Sequence, residues 1–355
     1  MSRLVPVIIA VVFLFAACVA GEPQGQDVID VPVTPLETAS PPETATPAPT
    51  ETATAAPTAP PTPEPPMVKA RVNTLNVRRV PDASDDSTVL CKLGYEEKAE
   101  YLGVEGKFTH VRLADGTEGY CYSDYLVDAD ETLYAYLSPS TAQKVDEATG
   151  VPVFEADGVT PVMVKNELVD LRLYLPDAVY ELLFATERNV AGYPLYPRAI
   201  PLLQKDTAKK LKKAFDLFKA DGYTLKICDA YRPKSVQAIL YDIVQNRHWI
   251  ANPLTTASNH NRGCAVDISL IDDATGRELE FPTPMHTFTD ESARTCKTWG
   301  ETARANVDYL TRIMGKCGLE GIQSEWWHYA DSNHADYMTT DIDFTSLTML
   351  PKQGD

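Results

Sequence analysis

The stretch from residue 19 to residue 66 sets the limits on everything else in this chain. It holds 13 of the 27 prolines, interleaved with Thr, Ala and Glu, and it has no aromatic residue. Such a segment cannot bury enough apolar surface to offset its own chain entropy. It reads as a disordered linker, so the folded units must come from residues 67–355. Proline-rich chain extends by about 3.1 Å per residue, which gives this stalk a reach on the order of 100 Å.

Ahead of the linker, Arg3 precedes an apolar run from Leu4 to Phe15 that is broken only by Pro6. The run is too short to cross a bilayer as a mature helix, and residues 1–18 read as a signal peptide. Ala16-Ala17-Cys18 places small residues directly before a cysteine and resembles a lipobox. Cys18 is therefore the expected lipidation site, and a lipid anchor there is the expected membrane partner. The expected location is the extracellular side of the cell membrane, within the cell envelope. Six cysteines remain: Cys91, Cys121, Cys228, Cys264, Cys296 and Cys317. Disulfides persist outside the cytosol, but six cysteines without a CxxC pair do not make a disulfide scaffold. They read as small buried thiols, and Cys91 with Cys121 is the pair to test, since both fall in one small module. The formal net charge of -18 would repel a polyanion and excludes nucleic acid as a partner.

Residues 67–128 alternate apolar and polar over Val68–Val72, Ser87–Leu90, Ala99–Leu102, Thr109–Leu113 and Gly119–Tyr122, with turn residues at Pro81-Asp82-Ala83-Ser84 and Ala114-Asp115-Gly116. Five short strands with tight turns predict a small antiparallel barrel. Residues 129–155 read as a connector of mixed polarity. Residues 156–355 suit one domain. Helices are expected over Leu202–Ala220, with Leu211, Phe215 and Phe218 on one face and four lysines outward, over Ser235–Arg247, and over Thr302–Cys317. Asp221-Gly222 supplies the stop for the first. Tyr223–Cys228 and Ala265–Ile271 alternate as strands. Helices and strands mix without regular βαβ succession, which predicts an α+β fold.

Two short stretches carry chemistry. One is Ser258-Asn-His260-Asn-Arg-Gly-Cys-Ala-Val-Asp267, the other Ser324-Glu325-Trp326-Trp327-His328. A catalytic zinc needs three protein ligands and one open position for water, with a carboxylate beside that water as general base. A turn at Gly263 would let His260 and Asp267 converge on one ion. His328 supplies the third ligand, and Glu325, three residues earlier, faces the same water. Asp229-Ala230-Tyr231-Arg232-Pro233 follows a predicted strand, so Arg232 can project its forked, permanently charged donor toward a developing oxyanion. Each residue alone also suits a structural role: Asp267 answered by Arg262, His328 a satisfied core histidine, Arg232 a loop pin. Together they make a complete zinc site with a base.

These three motifs resemble the zinc D,D-peptidases, most closely the D-alanyl-D-alanine dipeptidases of the VanX type. The family pattern runs Asp-x-Tyr-Arg-Pro, then Ser-x-His-x-x-Gly-x-x-x-Asp, then Glu-x-Trp-His. All three stand here in order, and Val169-Asp170-Leu171-Arg172 and the stretch from Asn189 to Tyr196 look like that family's opening segment. The resemblance implies that His260, Asp267 and His328 are zinc ligands, that Glu325 is the general base, that Arg232 stabilises the tetrahedral intermediate, and that Ser258 contacts the substrate's C-terminal carboxylate. It implies D-Ala-D-Ala-containing peptides as substrates. The string Leu75-Asn76-Val77-Arg78, with Gly119-Tyr120-Cys121-Tyr122 and Tyr125-Leu126, resembles bacterial SH3 domains. That likeness implies peptidoglycan as the partner of residues 67–128.

One departure stands out. Where the dipeptidases carry Phe-Asp-x-Phe, whose aspartate helps hold the substrate's ammonium, this chain has Met285-His286-Thr287-Phe288. An imidazole does not attract an ammonium, which leaves intact stem peptides open as substrates. The expected function is zinc-dependent hydrolysis of the D-alanyl-D-alanine dipeptide or related peptidoglycan peptides. The alternatives are a D,D-carboxypeptidase or endopeptidase on stem peptides, and a wall-binding lipoprotein without catalysis.

Overall fold

The computed structural model describes residues 64–354. The signal peptide, Cys18 and the linker as far as residue 63 lie outside the described residues. Among those described, no helix is long and apolar enough to cross a membrane.

The first folded element is an antiparallel barrel. Its strands are β1 (Met67–Ala70), β2 (Thr74–Arg78), β3 (Val89–Gly94), β4 (Lys98–Glu105), β5 (Phe108–Arg112), β6 (Glu118–Tyr122) and β7 (Leu126–Asp128), in the order β3-β2-β6-β5-β4-β1-β7. Seven strands replace the five expected. The expected strand at Ser87–Leu90 is a short 3-10 turn at Asp86–Thr88 that runs into β3. Val68, Ala70, Leu75, Val77, Leu93, Ala99 and Val111 fill the interior, one from every second position, as the pleat requires. Cys91 and Cys121 are both unpaired, as are the other four described cysteines. Their strands β3 and β6 flank β2 and are not neighbours.

The expected connector is not a passive link. β8 (Leu133–Tyr136) pairs with β19 (Thr348–Pro351) at the other end of the chain, and β9 (Ser140–Gln143) pairs with β10 (Met163–Asn166). Leu133 and Ala135 are buried in a core shared with Phe184, Leu202, Tyr231 and Phe344. The backbone N–H of Ala135 also donates to Asp170 Oδ2 at 2.9 Å. The alternation in Leu133-Tyr-Ala-Tyr136 is a strand signal, but its partner lies more than two hundred residues away, beyond the reach of any local pattern.

The remaining elements are β11 (Leu168–Asp170), β12 (Val179–Tyr180), β13 (Leu202–Gln204), α1 (Lys205–Ala220), β14 (Tyr223–Asp229), α2 (Lys234–Val244), β15 (Ala265–Asp272), β16 (Arg277–Glu278), α3 (Glu301–Lys316), β17 (Leu319–Gly321) and β18 (His328–Asp331). The first helix starts three residues later than its apolar pattern, because Leu202–Gln204 pairs with β11. α1 is capped at Asp221, and Gly222 takes φ +86°, the left-handed turn that glycine adopts without penalty.

The main sheet runs β12-β14-β15-β18-β17, with β16 on β15. Only the β12–β14 pairing is parallel. α1 and α3 cover one face. Leu211, Phe215 and Phe218 of α1 and Leu310, Ile313 and Met314 of α3 meet Val266, Ile268 and Leu270 of β15. Side chains alternate along a strand, so Ala265, Asp267 and Ser269 point to the opposite face. The result is a mixed α+β unit preceded in the chain by a small antiparallel barrel, as the alternation and helix patterns led one to expect.

Candidate metal centre and its surroundings

Three adjacent strand ends build the site. Asp229 at the end of β14 stands opposite Asp267 near the start of β15, and Asp267 stands opposite His328 at the start of β18. Directly paired residues on neighbouring strands present their side chains on the same face. The sheet thus brings together residues 61 positions apart in sequence. A bulge in β14 between Ile227 and Asp229 adjusts the register.

His260 arrives from a loop. Asn261 N donates to Ser258 O at 3.0 Å and Gly263 N to His260 O at 2.9 Å, which closes a tight turn. Gly263 has φ +66°, and a Cβ there would lie 2.4 Å from Leu168 Cδ2. Only glycine fits. Arg262 does not answer Asp267: it donates to Tyr337 O and to Glu147 Oε2. Ser258 Oγ accepts from His260 N at 3.2 Å.

His260 Nε2, Asp267 Oδ1 and His328 Nδ1 face one another. They lie 3.0 Å (His260–His328), 3.2 Å (His260–Asp267) and 3.1 Å (Asp267–His328) apart. His260 Nδ1 donates to the Ala230 carbonyl at 2.7 Å, so Nε2 carries a lone pair. A carboxylate oxygen is acceptor-only. A hydrogen on His328 Nδ1 can serve one of these two acceptors but not the whole triangle. One cation serves all three. Ligands about 2.0 Å from a tetrahedral zinc lie about 3.3 Å from each other, close to the spacing found. All three residues are buried, and among the described residues this is the group whose atoms converge as metal ligands do. The residues fit the ion.

The cavity in front of them is about 270 Å³ and is lined by Arg232, Ser258, His260, Asp267, Glu325 and His328. Every catalytic, ligating and substrate-contacting residue expected from the sequence, Cys18 aside, is gathered there. Arg232 is buried. Its Nε and Nη2 donate to Asp229 Oδ2 at 3.0 and 2.6 Å, and its Nη1 donates to Gln237 Oε1 at 2.8 Å. Two of its five N–H groups remain for a ligand. Burial works against its charge, but Asp229, Tyr196 and Asp267 outweigh burial and hold it above the ordinary arginine range. Burial, then the Asp267 charge, pushes the Glu325 carboxyl up to about 8. The Asp267 carboxyl is held well below the carboxylate range: burial opposes its charge, and His260, His286 and His328 prevail.

The segment bearing Glu325 and His328 is pinned from behind. Arg294 donates from Nε to Ile322 O and Glu325 O, at 2.8 and 3.0 Å, and from Nη2 to Trp326 O at 2.8 Å. Trp326 stacks on Phe281 with ring centroids 4.3 Å apart. The tryptophan pair is therefore buried platform.

The motif reading left several contributors without a role. Asp229 was visible as the first residue of its motif, yet its work is done in three dimensions: it accepts from Arg232 and from Tyr196 Oη at 2.9 Å, and lies 3.4 Å from His260 Nδ1. Gln237 carries no local signal. Nor do Arg247, His248 and Trp249, which also line the cavity from the segment after α2.

Comparison with known proteins agrees with this geometry. The D-Ala-D-Ala dipeptidase family model, Peptidase_M15, matches residues 164–347, and the bacterial SH3 domain model matches residues 73–127. A D-alanyl-D-alanine dipeptidase of Escherichia coli (strain K12) is 34% identical over 172 residues, covering 48% of this chain and 88% of that protein. One from Enterococcus faecalis is 26% identical over 185 residues, covering 47% and 92%. The solved LdcB LD-carboxypeptidase matches 37% of this chain and 59% of its own at 23% identity and TM-score 0.26, too loosely to bear on substrate. With its converging triad and its family match over more than half its length, this chain belongs to the D-Ala-D-Ala dipeptidase family and is a zinc metallopeptidase carrying a bacterial SH3 domain.

Proposed function

We propose that this protein hydrolyses the D-alanyl-D-alanine dipeptide, free or released from peptidoglycan, at the cell envelope. The observation that carries the reading is the triangle of His260 Nε2, Asp267 Oδ1 and His328 Nδ1, opening with Glu325 and Arg232 into one small cavity. His260, Asp267 and His328 would hold zinc, which when bound polarises a peptide carbonyl and lowers the pKa of a water. Glu325 takes the proton of the attacking water on its carboxylate and returns it to the leaving amine. Arg232 offers its two unused N–H groups to the oxyanion. Asp229 holds that guanidinium in place. Ser258, at the cavity wall, contacts the substrate's terminal carboxylate. The lipid anchor at Cys18 and the linker set the enzyme in the wall, and the SH3 domain binds peptidoglycan.

A second reading, a D,D-carboxypeptidase or endopeptidase on stem peptides, draws on His286. It stands where the resemblance expects an ammonium-holding aspartate, and its Nε2 lies against Asp267. The test offers the zinc-loaded protein free D-Ala-D-Ala and a stem pentapeptide ending in D-Ala-D-Ala, with Glu325→Ala as control. Faster cleavage of the dipeptide is expected. Cleavage of the pentapeptide alone would favour the second reading, and cleavage of neither would end both.

A further inference from the structure

The two oxygens of the Asp267 carboxylate have different company. Oδ1 faces His260 Nε2 and His328 Nδ1. Oδ2 turns away from the triangle, 3.0 Å from His286 Nε2 and 3.8 Å from Arg232 Nη2. We infer that His286 is the positioning residue of the metal centre: it donates Nε2–H to Asp267 Oδ2 and so presents Oδ1 alone to the ion. This inference rests on the triad being the zinc site.

The surroundings of His286 are built for one ring orientation. Its side chain is 3% exposed. The ring is stacked against Phe184 (centroids 4.6 Å, planes 12° apart) and against Phe288 (6.1 Å, 7°), and it meets Trp327 edge-on at 5.9 Å. Its backbone adopts φ +59°, a conformation that residues with a side chain rarely take. Such a conformation persists where the surrounding structure demands it. The carboxylate accepts only, so Nε2 bears the hydrogen. Nδ1 is buried without a hydrogen-bond partner, so Nε2 alone ties the ring to its neighbours by a hydrogen bond.

The chemistry reverses a common arrangement, in which a histidine ligates the metal and a carboxylate behind it orients the ring. Here the carboxylate ligates and the imidazole stands behind it. Holding Oδ2 has a specific consequence. An aspartate free to turn can offer both oxygens and fill a second coordination position. One held by Oδ2 contributes a single ligand atom, which leaves the open position that a hydrolytic zinc needs.

The test uses the full chain with His286→Leu, which keeps the bulk and loses the donor, and His286→Gln, which returns a donor near the Nε2 position. Zinc dissociation constants come from competition with a chromophoric chelator, and the d–d absorption bands are recorded after cobalt substitution. The expected result is a rise of about 10- to 100-fold in the zinc Kd for His286→Leu, altered cobalt bands, and recovery of both toward wild type in His286→Gln. Unchanged affinity and unchanged bands in a folded His286→Leu protein overturn the inference. If that variant does not fold, the imidazole 15N–1H spectrum of the wild-type protein decides: a hydrogen on His286 Nε2 supports the inference, and one on Nδ1 alone overturns it. Failure of the zinc-site reading has a different signature, which is a His328→Ala protein that keeps wild-type zinc affinity.

Discussion

Asp229→Asn tests the electrostatic frame of the site. The Asp229 carboxylate is fully buried. It accepts two bonds from Arg232 and one from Tyr196. The amide keeps the shape and can turn its carbonyl oxygen to Arg232 and its NH2 to the Tyr196 hydroxyl, but the charge is gone. Arg232 is then a buried cation whose nearest carboxylate is Asp267, 3.8 Å from its Nη2. Breaking a buried ion pair by removing one member costs about 3–5 kcal/mol, a large share of the roughly 5–15 kcal/mol that holds a domain together. At roughly 2–4 °C per kcal/mol for a domain of this size, the melting temperature should fall by on the order of 10 °C. The assay is thermal and urea unfolding in the presence of chelator, so that metal binding does not enter. Asp229→Asn combined with Arg232→Met removes the uncompensated cation as well. It should regain most of the lost stability while remaining inactive. A single variant as stable as wild type, or a double variant no more stable than the single, would refute the reasoning.

Three further outcomes are expected. Glu325→Gln should lower kcat/KM by roughly 10²–10⁴-fold while zinc content, measured by elemental analysis, stays at the wild-type level; chelation of the wild type should abolish activity and added zinc restore it. In the metal-free protein the raised Glu325 carboxyl stays protonated when folded but ionises when unfolded, so the folded state binds more protons between the unfolded value of 4.5 and about 8. Stability should therefore fall as pH rises through that window and level off above it. Denaturant midpoints taken across it should show a shallower slope in Glu325→Gln. Gly263→Ala places a methyl group against Leu168 in a left-handed turn. It should cost about 1–3 kcal/mol and weaken zinc binding, read as a lower melting temperature and a higher zinc Kd.

The residues that meet at the cavity were legible because they sit in short motifs whose residue types already add up to one chemistry. Asp267 could also be assigned a face from local pattern, since Val266, Ile268 and Leu270 alternate with it and must go to the core. Asp229 and His286 were not legible in the same way. Asp229 works through Arg232 three residues on, but also through Tyr196, 33 positions earlier. His286 looked like a change in substrate recognition, and it lies against the metal ligand Asp267. The place of Leu133–Tyr136 in the core has no local signal, because β8 finds its partner in β19.

By itself, the amino-acid sequence determined the α+β class, the zinc-peptidase chemistry and the residues that meet at the cavity. Each of these rests on composition, on periodicity, or on a motif of about ten residues. Tertiary structure alone decided which nitrogen of each histidine turns inward, which Asp267 oxygen is left for the ion, and which buried groups hold Arg232 and Asp267 in place. Those choices depend on the pairing of β14, β15 and β18 and on the aromatic rings packed around His286. Contacts across sheet and core follow no spacing along the chain.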